Sequence, residues 1–185
     1  MTASLTALQL TEKYRNGELS PVDAARDALA AIERVDGHLN AICRTDPEAT
    51  LRRAREAQQR YRDGTQIGPI DGVPTTIKDI FYTRGVPTLR GSRLLADKPG
   101  VDDPASWPDD APVTAATCEA GCVVIGKTTT PEFAWKGVTD NTLTGITRNP
   151  YDPTLTPGGS SGGASAAVAA GLGQLALGTD GGGSV

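Results

Sequence analysis

Two glycine-rich serine loops lie close together near one end of this chain: Thr156-Pro157-Gly158-Gly159-Ser160-Ser161-Gly162-Gly163-Ala164-Ser165, and Gly178-Thr179-Asp180-Gly181-Gly182-Gly183-Ser184. The segment between them, Ala164 to Leu177, is made of small and apolar residues, too apolar for a flexible linker. An ordered glycine costs roughly 0.5–1 kcal/mol relative to alanine. Runs of glycine therefore occur where the backbone must take positive φ or approach another group closely. Backbone N–H groups converging on an anion are one such use. The pair of loops predicts a catalytic serine with an oxyanion hole.

The chain has 185 residues, enough for one domain with a real core. Its net charge is -4, and it has no basic patch or polybasic tail, so neither nucleic acid nor an anionic membrane is an expected partner. No apolar run approaches the ~18 residues needed to cross a bilayer. Met1-Thr2-Ala3-Ser4-Leu5 lacks the features of a signal peptide. The cysteines are Cys43, Cys118 and Cys122, an odd number that predicts reduced thiols and a cytoplasmic setting. The single histidine, His38, reads as a surface or capping residue. Serine chemistry here must use His38 across the fold or do without histidine. The sequence stops at Ser184-Val185, directly after the glycine run, and so reads as part of a longer protein.

Residues 4–15 have helical periodicity, with Leu5, Leu8, Leu10 and Tyr14 on the apolar side. Ser20-Pro21-Val22-Asp23 is a helix start with cap, proline and acid in order, and that helix is expected to reach about Arg34. Leu39 to Cys43 reads as a short strand. Asp46-Pro47-Glu48 opens a third helix ending near Gly64, with a solvated charged face. After Gly64 the chain alternates strands, loops and small-residue helices. Strands are expected at Val73–Ile77, Cys122–Ile125 and Leu175–Leu177, helices at Val113–Ala120 and Gly162–Ala170, and a surface loop at 97–112. This alternation predicts an α/β fold, a sheet layered with helices. The expected division is a helical segment at 1–63 packing on a core at 64–185.

Gly121-Cys122-Val123-Val124-Ile125-Gly126-Lys127-Thr128 has the spacing of a phosphate-binding loop. That loop needs a strand before its first glycine and a helix after the Lys-Thr. Here a helix precedes, the middle residues are strand-like and Pro131 follows, so a buried strand ending in a turn is the better reading. Gly159-Ser160-Ser161-Gly162-Gly163 has the spacing of a nucleophile elbow, but no convincing strand leads into it and no histidine follows. Cys118 and Cys122 lack the further ligands a zinc site needs, and no metal is expected. Lys78 ends the apolar strand Val73-Pro74-Thr75-Thr76-Ile77. For half of it to be neutral at pH 7, its pKa must fall by about 3.4, or roughly 4.6 kcal/mol. Burial can supply a fall of about 3–5.

Three segments together resemble the amidase signature family: Gly72-Val73-Pro74-Thr75-Thr76-Ile77-Lys78-Asp79, Pro157-Gly158-Gly159-Ser160-Ser161-Gly162-Gly163, and Gly178-Thr179-Asp180-Gly181-Gly182-Gly183-Ser184. The resemblance covers about Gly68 to Val185. It implies the family's fold, a mixed sheet layered between helices, of which this chain is the N-terminal portion. It also implies a Ser–cisSer–Lys triad: Ser184 as nucleophile, Ser160 as bridge after a cis peptide, and Lys78 as base. The implied oxyanion hole is the backbone N–H groups of Gly181, Gly182, Gly183 and Ser184, with Ser161 and Asp180 in support. No cofactor is implied. Many members carry a larger residue, often Thr or Ile, where Gly181 stands, so the pocket wall here is expected to be more open. Family domains run more than twice as far, and the remainder supplies further strands and most of the substrate pocket.

The activity so implied is hydrolysis of a small carboxylic amide through an acyl-serine, with homodimerisation left open. Two alternatives stand beside it. One is the glutaminase subunit of an aspartyl/glutamyl-tRNA amidotransferase, which would deliver ammonia to a partner. The other is a truncated, non-catalytic interaction fragment. Gly181 and the Asp-rich 97–112 stretch favour the free amidase.

Overall fold

The computed structural model describes residues 2–185. Helix formation at the N-terminal end follows from caps. Helix α1 (Ala7–Arg15) opens on Thr6, whose hydroxyl accepts from the Gln9 amide while Gln9 reaches back to the Thr6 N–H. Helix α2 (Pro21–Leu39) repeats the device with Ser20 and Asp23. Strand β1 (Ile42–Arg44) follows, and helix α3 (Pro47–Asp63) is capped by Asp46 and closed by Gly64 in the left-handed conformation.

The expected helices are present, with shifted ends. The first begins at Ala7, and Leu8 points to solvent while Leu10 and Tyr14 are buried. Helix α2 runs past Arg34 to Leu39 because nothing in Val35-Asp36-Gly37-His38 stops it. It ends at Asn40, which adopts φ 53°, while the Asp36 carboxylate accepts from the Ala41 and Ile42 amides. His38 sits exposed in its last turn.

The sheet is assembled from β1, β2 (Pro74–Lys78), β3 (Val123–Thr128) and β6 (Leu175–Leu177), in the order β1-β3-β2-β6. Strand β2 lies between β3 and β6 and is parallel to both, whereas β1 is antiparallel to β3. This mixed sheet with helices is the expected α/β class. Short helices α4 (Arg93–Ala96) and α5 (Pro112–Glu119) lie on the connection from β2 to β3. A two-stranded hairpin of β4 (Asp140–Asn141) and β5 (Gly145–Ile146) adds to the elements expected from sequence. Helix α6 (Gly162–Ala169) leads into β6.

Two apolar clusters join helices to sheet. Val22, Ala25 and Ala28 of α2 meet Ala54 of α3 over Val123 and Ile125 of β3. Ala31 and Leu39 meet Ala166, Ala167 and Leu172. The small side chains of α6 let its backbone come close to the strands, and this seats the first serine loop directly over the end of β2.

Strand β3 continues through Gly126, Lys127 and Thr128, past the expected turn. Its lysine is buried and faces Asp79 at 3.2 Å. The phosphate-loop spacing is therefore part of a sheet, as the strand-like middle residues imply.

Candidate active site

The carboxyl ends of parallel strands are where α/β sheets leave a crevice. Lys78 stands at that end of β2, fully buried. Its Nζ donates to Ser160 Oγ at 2.8 Å, Ser161 Oγ at 2.9 Å and Thr179 Oγ1 at 2.6 Å. An ammonium has three protons, and three hydroxyls accept them. Among the described residues no carboxylate pairs with the amine. Burial pulls its pKa from the ordinary 10.5 down to about 8, opposed by the field of Asp180. The bulk of the fall comes from loss of water around the charged form.

The serines owe their positions to close backbone packing. The Gly159–Ser160 peptide is cis. A Cβ at Gly159 would lie 2.7 Å from the Val138 backbone, so no side chain fits there. One at Gly163 would strike Thr129. Ser160 and Ser161 are both buried, at the start of α6. Ser161 Oγ donates to the Thr179 carbonyl at 3.0 Å and accepts from the Thr179 amide at 3.1 Å, which ties the two loops together.

Ser184 is brought to the same place from the other loop. Its carbonyl accepts from the Ser161 N–H at 3.0 Å. The residue is half-exposed, and among the described residues no side-chain hydrogen bond joins it to Ser160. The N–H groups of Gly182 and Ser184 donate to Asp180 Oδ1 at 3.1 and 3.0 Å, and that of Gly183 does so as well. These bonds hold the Asp180 carboxyl below its ordinary range. Gly181 is exposed, and a Cβ there would meet nothing within 4 Å.

Thr179 belongs to the second loop, yet sequence reasoning gives it no role in the site. Its partner, Lys78, lies about a hundred residues away in sequence, so only the pairing of β2 with β6 reveals the contact. Its place just beyond an apolar strand is the available signal. The cysteines are free, and among the described residues no group of three or more His, Cys, Asp or Glu could hold a metal ion. Among the same residues no helix is long and apolar enough to cross a membrane.

The Amidase family model matches residues 23–185. A glutamyl-tRNA(Gln) amidotransferase subunit from Streptomyces coelicolor is 43% identical over 183 residues, which are 98% of this chain and 35% of that protein. A bacterial aryl acylamidase of the amidase signature enzymes superposes with TM-score 0.87 at 31% identity, covering 97% of this chain and 36% of that one. Native peptide amidase from Stenotrophomonas maltophilia gives TM-score 0.83 at 31% identity, over 95% of this chain and 36% of its own. The chain thus spans about a third of the length of its curated relatives. With that family model covering most of its residues and these folds matching its own, the chain belongs to the amidase signature family.

Proposed function

We propose that the polypeptide carrying this chain hydrolyses the C–N bond of carboxylic amides through an acyl-serine, with Ser184 as nucleophile, Ser160 as proton bridge and Lys78 as base. The observation that carries this reading is a buried amine surrounded by hydroxyls alone and pulled down to about 8. Such an amine can accept a proton near neutral pH, the condition a general base needs.

In the neutral form Lys78 takes the proton of Ser160, which takes that of Ser184 as Ser184 Oγ bonds to the amide carbonyl. The carbonyl oxygen becomes an oxyanion. Backbone N–H groups at 181–184 are the donors for it, each worth roughly 10²–10³ in rate. Those at 182, 183 and 184 rest on Asp180 Oδ1, so the loop must share or turn them as charge develops. The proton returns through Ser160 to the leaving amine, the C–N bond breaks, and water then cleaves the acyl-serine. Every proton moves among the serine hydroxyls, the Lys78 amine, the leaving amine and water.

A second reading is favoured by sequence identity. The relative at 43% is named as an amidotransferase subunit, whereas the two solved amidases are 31% identical. On that reading the amide is glutamine and the ammonia passes to a partner enzyme.

The test is intact mass of the natural polypeptide before and after a fluorophosphonate probe, with Ser184→Ala alongside. One adduct, absent in Ser184→Ala, is expected. No adduct on the folded wild-type polypeptide would sink both readings. Release of ammonia from glutamine, set against release from simple aliphatic and aryl amides, then separates the two.

A further inference from the structure

A cleft of about 560 Å³ opens on the loop that follows Lys78 and is distinct from the serine cluster. This size suits a small organic ligand. Three aromatic side chains, Tyr82, Trp107 and Phe133, stand in its walls among polar and aliphatic residues, and the Tyr82 and Trp107 rings lie 6.0 Å apart. One charged group is built into that wall. The Arg90 guanidinium lies over the Tyr82 ring, 5.1 Å from its centroid. Among the described residues Arg90 makes no ion pair, and its Nε is buried with no hydrogen-bond partner. That Nε is sealed from the cleft, whereas the Nη groups make no hydrogen bond or ion pair among the described residues and stay open to an acceptor.

The backbone supports the same conclusion. Only four non-glycine residues among those described have positive φ. Asn40 is a helix cap, and the other three are Arg90 (53°), Phe133 (50°) and Ala134 (58°). Arg90 and Phe133 both line the cleft and are bonded to each other, the Phe133 N–H donating to the Arg90 carbonyl at 2.9 Å. The Arg90 N–H donates to Asp79 Oδ2 at 2.9 Å. Side chains held in this rarely used conformation concentrate at ligand clamps. Lys98 and Asp109 are the other charged groups on the rim, and both are exposed, so the cleft carries a net positive charge.

We infer that this cleft binds a carboxylate carried on a flat apolar body, an aromatic acid in the simplest case. The guanidinium fork takes the carboxylate through paired N–H donors. Tyr82 holds the plane of that fork, and Trp107 and Phe133 cover the faces of the ring. The inference stands on binding alone and does not require Ser184 to be reactive.

The test is calorimetric titration of the natural polypeptide with benzoate, and with benzyl alcohol as its uncharged counterpart. Benzoate is expected to bind the more tightly, and Arg90→Met to weaken it by roughly ten- to a hundredfold. Arg90→Lys, which keeps the charge but loses the fork, is expected to fall between. Thermal melting checks that each variant is folded, and Tyr82→Leu, which removes the shelf, gives a second route to the same loss. Benzoate binding no tighter than benzyl alcohol, or binding unchanged in a folded Arg90→Met, would overturn the inference. Wild-type protein that labels with fluorophosphonate yet ignores benzoate refutes the cleft alone. Protein that binds benzoate and does not label refutes the hydrolase reading alone.

Discussion

Two lysines sit fully inside this protein on neighbouring parallel strands, Lys78 at the end of β2 and Lys127 on β3. The register pairs Ile77 with Lys127 and Lys78 with Thr128, so alternation sends the two amines to opposite faces of the sheet. Lys127 faces the Asp79 carboxylate at 3.2 Å, and its Nζ donates to the Phe81 carbonyl and Thr88 Oγ1, each at 2.7 Å. Lys78 meets hydroxyls only. Burial lowers the pKa of both. At Lys127 the adjacent Asp79, its own carboxyl pushed up by burial, works directly against that fall; at Lys78 the only opposing charge is the exposed and more distant Asp180. Similar burial is therefore met by an adjacent carboxylate at Lys127 and by hydroxyls alone at Lys78. The chemistry lies in what surrounds the amine.

Replacing each lysine by methionine should separate these roles. Lys78→Met is expected to slow fluorophosphonate labelling of Ser184 by roughly 10²–10⁴, the range for loss of a general base. Its melting temperature should hold or rise, because a buried ammonium without a counter-ion is removed. Unimpaired labelling would break the comparison at once. Lys127→Met strands the Asp79 carboxylate, whose side chain is only 7% exposed, and removing one partner of a buried pair costs about 3–5 kcal/mol. Denaturant titration should show that loss, with much of it recovered when Asp79→Asn is added. The asparagine oxygen can still accept from the Leu89 and Arg90 amides that Asp79 now holds. A Lys127→Met protein as stable as wild type would mean that this buried ion pair does not set the stability of the sheet here.

Only part of this contrast can be read in the sequence. Lys78 stands out because it ends an apolar strand, a purely local signal, and the two serine loops are legible from their glycines. Lys127 shows only as one letter of a false phosphate loop. Its partner Asp79 is distant in sequence, and parallel pairing of β2 with β3 is what joins them. The same holds for Thr179, joined to Lys78 through β6. Capped helices are legible because a cap and its partner are three residues apart, as at Ser20 and Asp23. Sequence reasoning ends α2 too early because Asn40 terminates it by its own left-handed backbone, and Asp36 closes it by folding forward onto Ala41. Leu8 looks like core on helical spacing alone, yet α1 packs through Leu10 and Tyr14 and leaves Leu8 68% exposed.

The smallest expected effect concerns the one carboxylate whose field reaches Lys78. An unfolded lysine titrates near 10.4, and Lys78 does so at about 8. Its neutral form therefore grows as pH rises through about 8, and the labelling rate should climb to that point and then level. Stability has a separate window. Between about 8 and about 10.4 the unfolded chain holds the proton that folded Lys78 has lost, so stability rises with pH there. Below about 8 the charged amine is buried and that cost is present in full. Asp180 opposes the fall of the Lys78 pKa, and the amides of Gly183, Ser184 and Gly182 keep its carboxylate ionised throughout. Asp180→Asn removes the charge but leaves an oxygen able to accept those amides. The labelling midpoint should move to lower pH by a small amount, measured as rate against pH with the loop otherwise held. If the midpoint moves upward, Asp180 governs the loop and not the charge on Lys78, and the difference between the two lysines must then come from burial alone.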